Sequence, residues 1–133
     1  MKIKILIITH EDLGGKLLET AQKIMGELKD VETFSVYRSD NADYIKINLK
    51  AAIKRITEKS GLIILTDMLG GTPTNFSLPY ISEKKVEVVT GVNLPMLIAC
   101  VRKKERVNDL KELANKVEEY GKKGIINCSK QRN

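Results

Sequence analysis

The sequence predicts one α/β domain, built on a doubly wound and mainly parallel sheet with helices on both faces. Its 133 residues, of which 42% are hydrophobic and 30% charged, have the size and composition of a single globular domain, residues 1–133. Short apolar segments alternate with longer segments in which apolar residues recur at helical spacing. The short segments are apolar at successive positions, which is typical of strands covered on both faces of a parallel sheet.

The first half of the chain alternates between strand and helix patterns. The predicted elements are a strand at 2–9, a helix at 13–28, a strand at 31–37, a helix at 42–56 and a strand at 62–66. Asp12 is a plausible cap for the first helix, and Gly61 follows the second helix as a glycine stop. The strand at 62–66 begins with four apolar residues, which predicts burial on both faces.

The second half continues the alternation and ends in a short strand. The predicted elements are a helix from Pro73, a strand at 86–90, an apolar segment at 96–101, a helix ending at Gly121 and a fifth strand at 124–128. Pro79 is expected to shorten or kink the helix from Pro73, since an interior proline removes a hydrogen bond and clashes with the preceding turn. We expect the fifth strand to lie antiparallel at a sheet edge, of this chain or of a second one.

The segment 67–75, Asp-Met-Leu-Gly-Gly-Thr-Pro-Thr-Asn, connects the third strand to the next helix. Thr72 can cap that helix, and Pro73 suits its first turn. A strand that leads into a Gly-Gly loop opening a helix leaves backbone N–H groups free to bind an anion, most often a phosphate. Taken alone, Gly70-Gly71 would fit a tight turn equally well.

His10, the only histidine of the chain, ends the first strand, and Asp67 ends the third. In parallel sheets, ligands bind beyond the carboxyl ends of the strands at the switch point in strand order, so we expect these two residues to meet there. A neutral imidazole is a competent nucleophile near neutral pH and can hold a phosphoryl group on nitrogen. Asp67 is the candidate carboxylate to fix the ring tautomer, although a turn or capping role would also suit it.

The oxygens of a phosphoryl group on His10 need hydrogen-bond donors. Backbone N–H groups of Gly70 and Gly71 can supply them, together with the start of the following helix. Thr72 is placed to donate its hydroxyl, and Thr9 is a further candidate. These residues together predict a site that handles a phosphoryl group.

Several other sites are disfavoured by the motifs. The loop lacks the lysine of a P-loop, and no G-x-G-x-x-G follows a strand. A response-regulator receiver needs an acidic pair at the end of the first strand, whereas Glu11 and Asp12 come one step late. No second histidine is present for a hydrolytic triad. Cys100 and Cys128 are far apart and in apolar contexts, which predicts two small buried residues rather than a disulfide framework or a zinc site, and we expect no cofactor.

The composition also limits the partners and the location. The net charge of +6 comes with few aromatic residues and no aromatic stripe among the basic ones, so we expect no nucleic-acid binding and favour docking to an acidic protein patch. No apolar run approaches the ~20 residues that cross a bilayer, and the N-terminus lacks the pattern of a signal peptide. We therefore expect a soluble cytoplasmic protein.

Three motifs in register resemble a known family. They are His10 at the end of the first strand, the Asp-x-x-Gly-Gly-Thr-Pro-x-Asn loop at 67–75, and the Gly-Val-Asn-Leu-Pro-Met turn at 91–96. The chain resembles, over essentially its whole length, the IIA domain of the mannose/fructose/sorbose class of the bacterial phosphoenolpyruvate-dependent sugar phosphotransferase system.

The resemblance implies a function and partners. His10 would receive a phosphoryl group from the phosphocarrier HPr and pass it to a IIB component, which serves the membrane components IIC and IID. Asp67 would orient His10, and residues 70–72 would line the phosphoryl pocket. Family members are homodimers that exchange the last strand, which would be 124–128 here.

The chain departs from the family at Glu11, where glycine is frequent, and at Pro79 in the helix after the loop. Negative charge at Glu11 and Asp12 would disfavour a phosphoryl group unless these side chains face away. Two related interpretations remain open: the phosphocarrier subunit of a phosphoenolpyruvate-dependent dihydroxyacetone kinase, and a IIA-like regulatory interaction module.

Overall fold

The computed structural model describes residues 2–82 and 85–131. Four strands form a parallel sheet in the order β2-β1-β3-β4. They are β1 (Ile3–His10), β2 (Val31–Val36), β3 (Gly61–Thr66) and β4 (Val86–Thr90). The helices are α1 (Leu13–Met25), α2 (Ala42–Thr57), α3 (Thr72–Ser77), α4 (Leu94–Lys103) and α5 (Leu110–Lys123). The predicted α/β class and the parallel sheet are confirmed.

Two apolar clusters, one on each face of the sheet, explain why the strands are apolar at successive positions. Ile5 and Ile7 of β1 belong to the cluster formed with α1, α4 and α5. Leu6 and Ile8 belong to the cluster formed with α2. Because side chains alternate between the two faces along a strand, a strand buried on both faces has to be apolar throughout. Helices therefore cover both faces, as predicted.

The carboxyl ends of the strands meet at one edge of the sheet. The register pairs His10 with Val36 across β1 and β2, and Ile8 with Thr66 across β1 and β3. The chain runs from β1 to β2 on one side and returns to β3 on the other side of β1. This edge is therefore the switch point in strand order, and both His10 and Asp67 lie on it.

Helices α4 and α5 pack closely, and α5 ends later than predicted. α4 begins at Leu94, because the Asn93 side chain caps it by accepting a hydrogen bond from the Met96 N–H at 2.8 Å. α5 continues through Gly121 to Lys123, so the prediction that Gly121 ends the last helix is wrong. A Cβ atom at Gly121 would lie 2.6 Å from Cε of Met96. This glycine therefore allows α5 to approach α4.

Pro79 shortens the helix after the 67–75 loop, as predicted. α3 ends at Ser77, and a 3₁₀ turn follows at Leu78–Tyr80 with Pro79 in its first turn. Asp12 occupies the N-cap of α1, but its side chain makes no capping hydrogen bond. The position predicted for Asp12 is therefore right and its capping bond is not formed.

The predicted fifth strand at 124–128 is not formed in the single chain. Hydrogen bonds from the Gly124 N–H to Tyr120 and from the Ile125 N–H to Lys122 continue the helical turn, and a 3₁₀ turn follows at Cys128–Gln131. A strand requires a hydrogen-bonding partner strand, whereas the N–H groups of Gly124 and Ile125 are bonded within the helical turn. Ile125 is therefore 77% exposed.

The two cysteines have different environments. Cys100 is buried, as predicted, and burial raises the pKa of its thiol to about 12. Cys128 is exposed, so the prediction that it is buried is wrong. Cys128 begins the C-terminal 3₁₀ turn and lies in a continuous exposed stretch, residues 122–130.

Within residues 2–82 and 85–131, no helix has the length and apolar character that crossing a membrane requires.

Candidate functional site

His10 and Asp67 meet at the sheet edge, as predicted. Oδ2 of Asp67 accepts two hydrogen bonds from His10, one from the backbone N–H at 2.8 Å and one from the ring Nδ1 at 2.7 Å. Because a carboxylate only accepts, Nδ1 must carry a proton, so in the neutral ring the lone pair is on Nε2. The His10 side chain is 45% exposed, whereas that of Asp67 is 10% exposed. The imidazole is therefore held by a carboxylate at Nδ1, and its other nitrogen is free.

The Asp67 carboxyl is ionised at neutral pH. Burial would raise its pKa, but the two hydrogen bonds from His10, the charge of the imidazole and the hydrogen bond from the Met68 N–H outweigh burial and lower the pKa below 3.8. The Met68 N–H donates to Oδ1 at 2.9 Å, so both carboxylate oxygens are occupied. Asp67 can therefore balance a positive charge that develops on the His10 ring.

The two glycines of the loop are required for different reasons. Gly70 has a φ of +84°, a backbone conformation that favours glycine. Gly71 has an ordinary φ, but a Cβ atom there would lie 2.7 Å from Cε1 of His10 and 3.4 Å from Nε2. A side chain at Gly71 would push the ring out of place. The loop thus approaches the imidazole directly, which a plain tight turn does not explain.

The structure places the two threonine candidates differently. Gly71, not Thr72, is the N-cap of α3, so the predicted capping role of Thr72 is wrong; Thr72 is the first helical residue and lines a cleft beside His10. Thr9 is fully buried, and its hydroxyl accepts a hydrogen bond from the Gly14 N–H at 2.8 Å. Thr9 therefore holds the β1–α1 turn and is not brought to the cleft.

A cluster of threonines beneath the loop was missed by the sequence reasoning. The buried Thr74 hydroxyl donates to the carbonyl of Met68 at 2.6 Å, and it lies 2.7 Å from Oγ1 of Thr66 and 3.5 Å from Oγ1 of Thr90. Thr74 thus ties α3 and the loop to the ends of β3 and β4. One signal was available, since β3 and β4 both end in threonine directly before a glycine-containing loop.

The residue after His10 adopts a strained conformation. Glu11 has a φ of +50°, a region that glycine occupies more easily, which explains why glycine suits this position. Its N–H donates to the Val36 carbonyl at 3.0 Å, and its Oε2 accepts from the Arg38 N–H at 3.2 Å. The Glu11 carboxylate is therefore used to join the β1–α1 turn to the β2–α2 loop.

A cleft of about 590 Å³ opens between these segments, lined by residues that include His10, Glu11, Tyr37, Arg38, Asp40 and Thr72. His10 projects from the central strand β1 into its wall. An exposed imidazole nitrogen, backed by a carboxylate and flanked by a glycine loop, can attack an electrophilic centre such as phosphorus.

Comparisons with known proteins identify the family of the chain. A family model described as the PTS system fructose IIA component, EIIA-man, matches residues 4–118. The chain is 29% identical over 126 residues to the PTS mannose-specific EIIAB component of Escherichia coli K12, which covers 94% of this chain and 39% of that protein. It is 27% identical over 128 residues to the PTS fructose-specific EIIA component of Bacillus subtilis 168, which covers 96% of this chain and 87% of that protein.

A solved structure shows the same fold. The phosphotransferase system component EIIA from Streptococcus agalactiae is 27% identical and superposes with a TM-score of 0.86, covering 96% of this chain and 98% of that one. The match of the family model over most of the chain is decisive. The chain belongs to the EIIA-man family, the IIA components of the sugar phosphotransferase system.

Proposed function

We propose that this protein is a cytoplasmic phosphocarrier that accepts a phosphoryl group from HPr on Nε2 of His10 and passes it to a IIB component during sugar uptake. The observation that carries the proposal is the 2.7 Å contact between Nδ1 and Asp67, which leaves Nε2 as the free nitrogen of a half-exposed ring. Transfer to the membrane components IIC and IID would run through IIB.

The proposed transfer step uses the free Nε2 and the ionised Asp67. The Nε2 lone pair attacks phosphorus, a P–N bond forms, and the bond between phosphorus and the donor breaks with its electron pair leaving on the donor. The ring then carries positive charge, which the ionised Asp67 offsets. Residues 70–72 supply donors for the phosphoryl oxygens, since the Gly71 N–H makes only a long 3.5 Å bond to Met68 and Thr72 lines the cleft. The second transfer, to IIB, is the reverse of the first.

Exposed apolar side chains beside His10 favour a protein partner over a small substrate. Leu13, Tyr37, Met68 and Leu69 are all exposed, and Leu69 is 73% exposed. Apolar side chains exposed together on a surface are typical of protein interaction sites. They lie on the elements that carry or flank the site, so a docked protein would contact them while its phosphoryl-bearing atom approaches Nε2.

Labelling of the wild-type protein tests this function. Incubation with phosphoenolpyruvate, enzyme I and HPr should place one acid-labile, base-stable phosphate on the peptide that contains His10. Two-dimensional NMR of the labelled protein should show the phosphorus coupled to the proton pattern of an Nε2-substituted ring. Omitting HPr should abolish the label. A wild-type protein without label, or with label on Nδ1, would contradict the proposal.

We also infer that the protein is a homodimer in which residues 124–128 pair with the partner's β4. β4 is an edge strand of the sheet, and a groove of about 500 Å³ lies between it and α5. The exposed Ile125 borders this groove. An extended segment added to an open strand edge gains main-chain hydrogen bonds and buries apolar side chains, which is the physical basis of strand exchange.

Removing the C-terminal segment tests the exchange. The full chain should have the mass of a dimer by light scattering, and a chain truncated after Lys123 should have the mass of a monomer. Lys130→Asp is the matched control and should remain dimeric, because Lys130 follows the proposed strand. A dimer that survives truncation would show that the interface lies elsewhere.

A further inference from the structure

His10 stands on the central strand with a different loop on each side. On the β3 side lie Asp67 and the glycine loop, and on the β2 side lies the segment that follows Val36, the register partner of His10. Arg38 is two residues beyond Val36 and lines the same cleft as His10. Of the lysines and arginines in the described ranges, Arg38 is the one that lines this cleft.

The backbone around Arg38 is held in place by the cleft's own carboxylates. Oε2 of Glu11 accepts the Arg38 N–H at 3.2 Å, and Oδ2 of Asp40 accepts the Tyr37 N–H at 2.9 Å. A second bond, from the Asp40 N–H to the Tyr37 carbonyl at 3.0 Å, closes this turn. Glu11 follows His10 directly, so the positions of Arg38 and His10 are coupled through one side chain.

The Arg38 guanidinium is not committed to another group within residues 2–82 and 85–131. The ion pairs formed by these residues do not include it. The carboxylates of Glu11 and Asp40 in the same cleft are bonded to backbone N–H groups. Arg38 thus brings a cation without an ion-pair partner among the described residues to the cleft that His10 also lines.

Charge balance gives this cation a role. A phosphoryl group on Nε2 would add up to two negative charges to a cleft that already contains Glu11 and Asp40, with Asp67 behind the ring. The glycine loop offers neutral N–H donors only. We propose, building on the function above, that Arg38 binds the phosphoryl oxygens on His10 and offsets their charge. A guanidinium suits this because its donors can bond two phosphoryl oxygens at once.

The experiment compares two phosphoryl donors on Arg38→Ala, Arg38→Lys and Arg102→Ala. One donor is phosphorylated HPr. The other is phosphoramidate, a small molecule that transfers its phosphoryl group to the imidazole and releases ammonia. Arg102 is the matched control, since it is an exposed arginine in the groove between α4 and α5. Thermal melting of each variant checks that the fold is retained.

With either donor, Arg38→Ala should lower the initial labelling rate roughly tenfold or more, as expected for the loss of a charge-assisted hydrogen bond. Arg38→Lys should have an intermediate labelling rate, because lysine keeps the positive charge but lacks the paired N–H donors of a guanidinium. Arg102→Ala should be labelled at the wild-type rate. Unchanged labelling in Arg38→Ala, or a loss seen with HPr and not with phosphoramidate, would overturn the proposal; the second result would make Arg38 a docking residue. If wild type takes no label from either donor, the proposed function itself fails.

Discussion

Replacement of His10 by asparagine should abolish phosphoryl transfer and leave the fold almost unchanged. The asparagine amide nitrogen occupies about the same position as Nδ1, so it can still donate to Oδ2 of Asp67. The backbone N–H of residue 10 keeps its own bond to that oxygen. The nucleophilic nitrogen Nε2 is removed and nothing replaces it. Labelling by phosphorylated HPr should therefore fall to background.

Thermal unfolding of the variants separates a catalytic role of His10 from a structural one. The thermal midpoint of His10→Asn should stay within a few degrees of wild type, since a change of 1 kcal/mol shifts a domain of this size by roughly 3–6 °C. His10→Ala is the comparison variant; it should also lose the label, but it gives up the ring's bond to Asp67 and should be the less stable of the two. Label retained in His10→Asn would place the nucleophile elsewhere, and a large loss of stability would mark His10 as a structural residue.

The meeting of His10 and Asp67 could be predicted because it depends on topology alone. Both residues directly end or follow apolar segments that are recognisable as parallel strands, and the switch-point rule places such ends together. Which ring nitrogen of His10 is left free could not be predicted in this way. It depends on which ring nitrogen faces Oδ2 of Asp67, a detail of side-chain orientation that no spacing in the sequence encodes.

The position of Thr9 away from the cleft has a simple geometric cause. Side chains alternate between the two faces of a strand, so Thr9 and His10 point to opposite sides of β1. Ile7 packs in the cluster that contains α1, and Thr9, two residues later, bonds Gly14 of the same helix. Strict use of the alternation would have removed Thr9 from the candidate donors.

The contacts of Glu11 and Arg38 illustrate what sequence patterns leave out. They join two loops from different parts of the chain and depend on the positive φ of Glu11, which periodicity does not reveal. The C-terminal segment is a different case, because 124–128 has the composition of a strand, but Gly124 and Ile125 form hydrogen bonds of a helical turn instead. Local composition alone therefore does not determine its conformation.

Asp67→Asn should lower the rate of phosphoryl transfer by about a hundredfold, roughly the loss expected when a buried charge-assisted hydrogen bond is removed. Asparagine has the shape of aspartate but only one acceptor oxygen. If that oxygen faces His10, the NH₂ group is placed against the Met68 N–H, which is also a donor. If it faces Met68, the NH₂ group is placed against the two donors of His10. In either orientation a donor loses its partner, and no negative charge offsets the phosphorylated ring.

The control for this variant is Asp109→Asn, because asparagine caps helices as well as aspartate does and Asp109 caps α5 far along the chain from the site. Asp109→Asn should transfer at the wild-type rate. A transfer rate in Asp67→Asn within a factor of two of wild type would show that the carboxylate does not assist the ring.

The pH dependence of stability separates the charge of Asp67 from its shape. Hydrogen bonding and the charge of His10 lower the Asp67 pKa below its value of 3.8 in the absence of these contacts. A lowered pKa in the folded state means that ionised Asp67 stabilises the fold above about pH 4, and that this stabilisation is lost as the pH falls through the folded-state pKa.

Urea unfolding should therefore show Asp67→Asn to be less stable than wild type by about 1–3 kcal/mol at pH 7. This difference in the free energy of unfolding should become smaller as the pH is lowered below 4, because Asp67 is then protonated in wild type, whereas the variant has no carboxylate at this position. A difference in the free energy of unfolding that stays constant across this pH range would mean that the shape of the Asp67 side chain, and not its negative charge beside the His10 ring, stabilises this edge of the sheet.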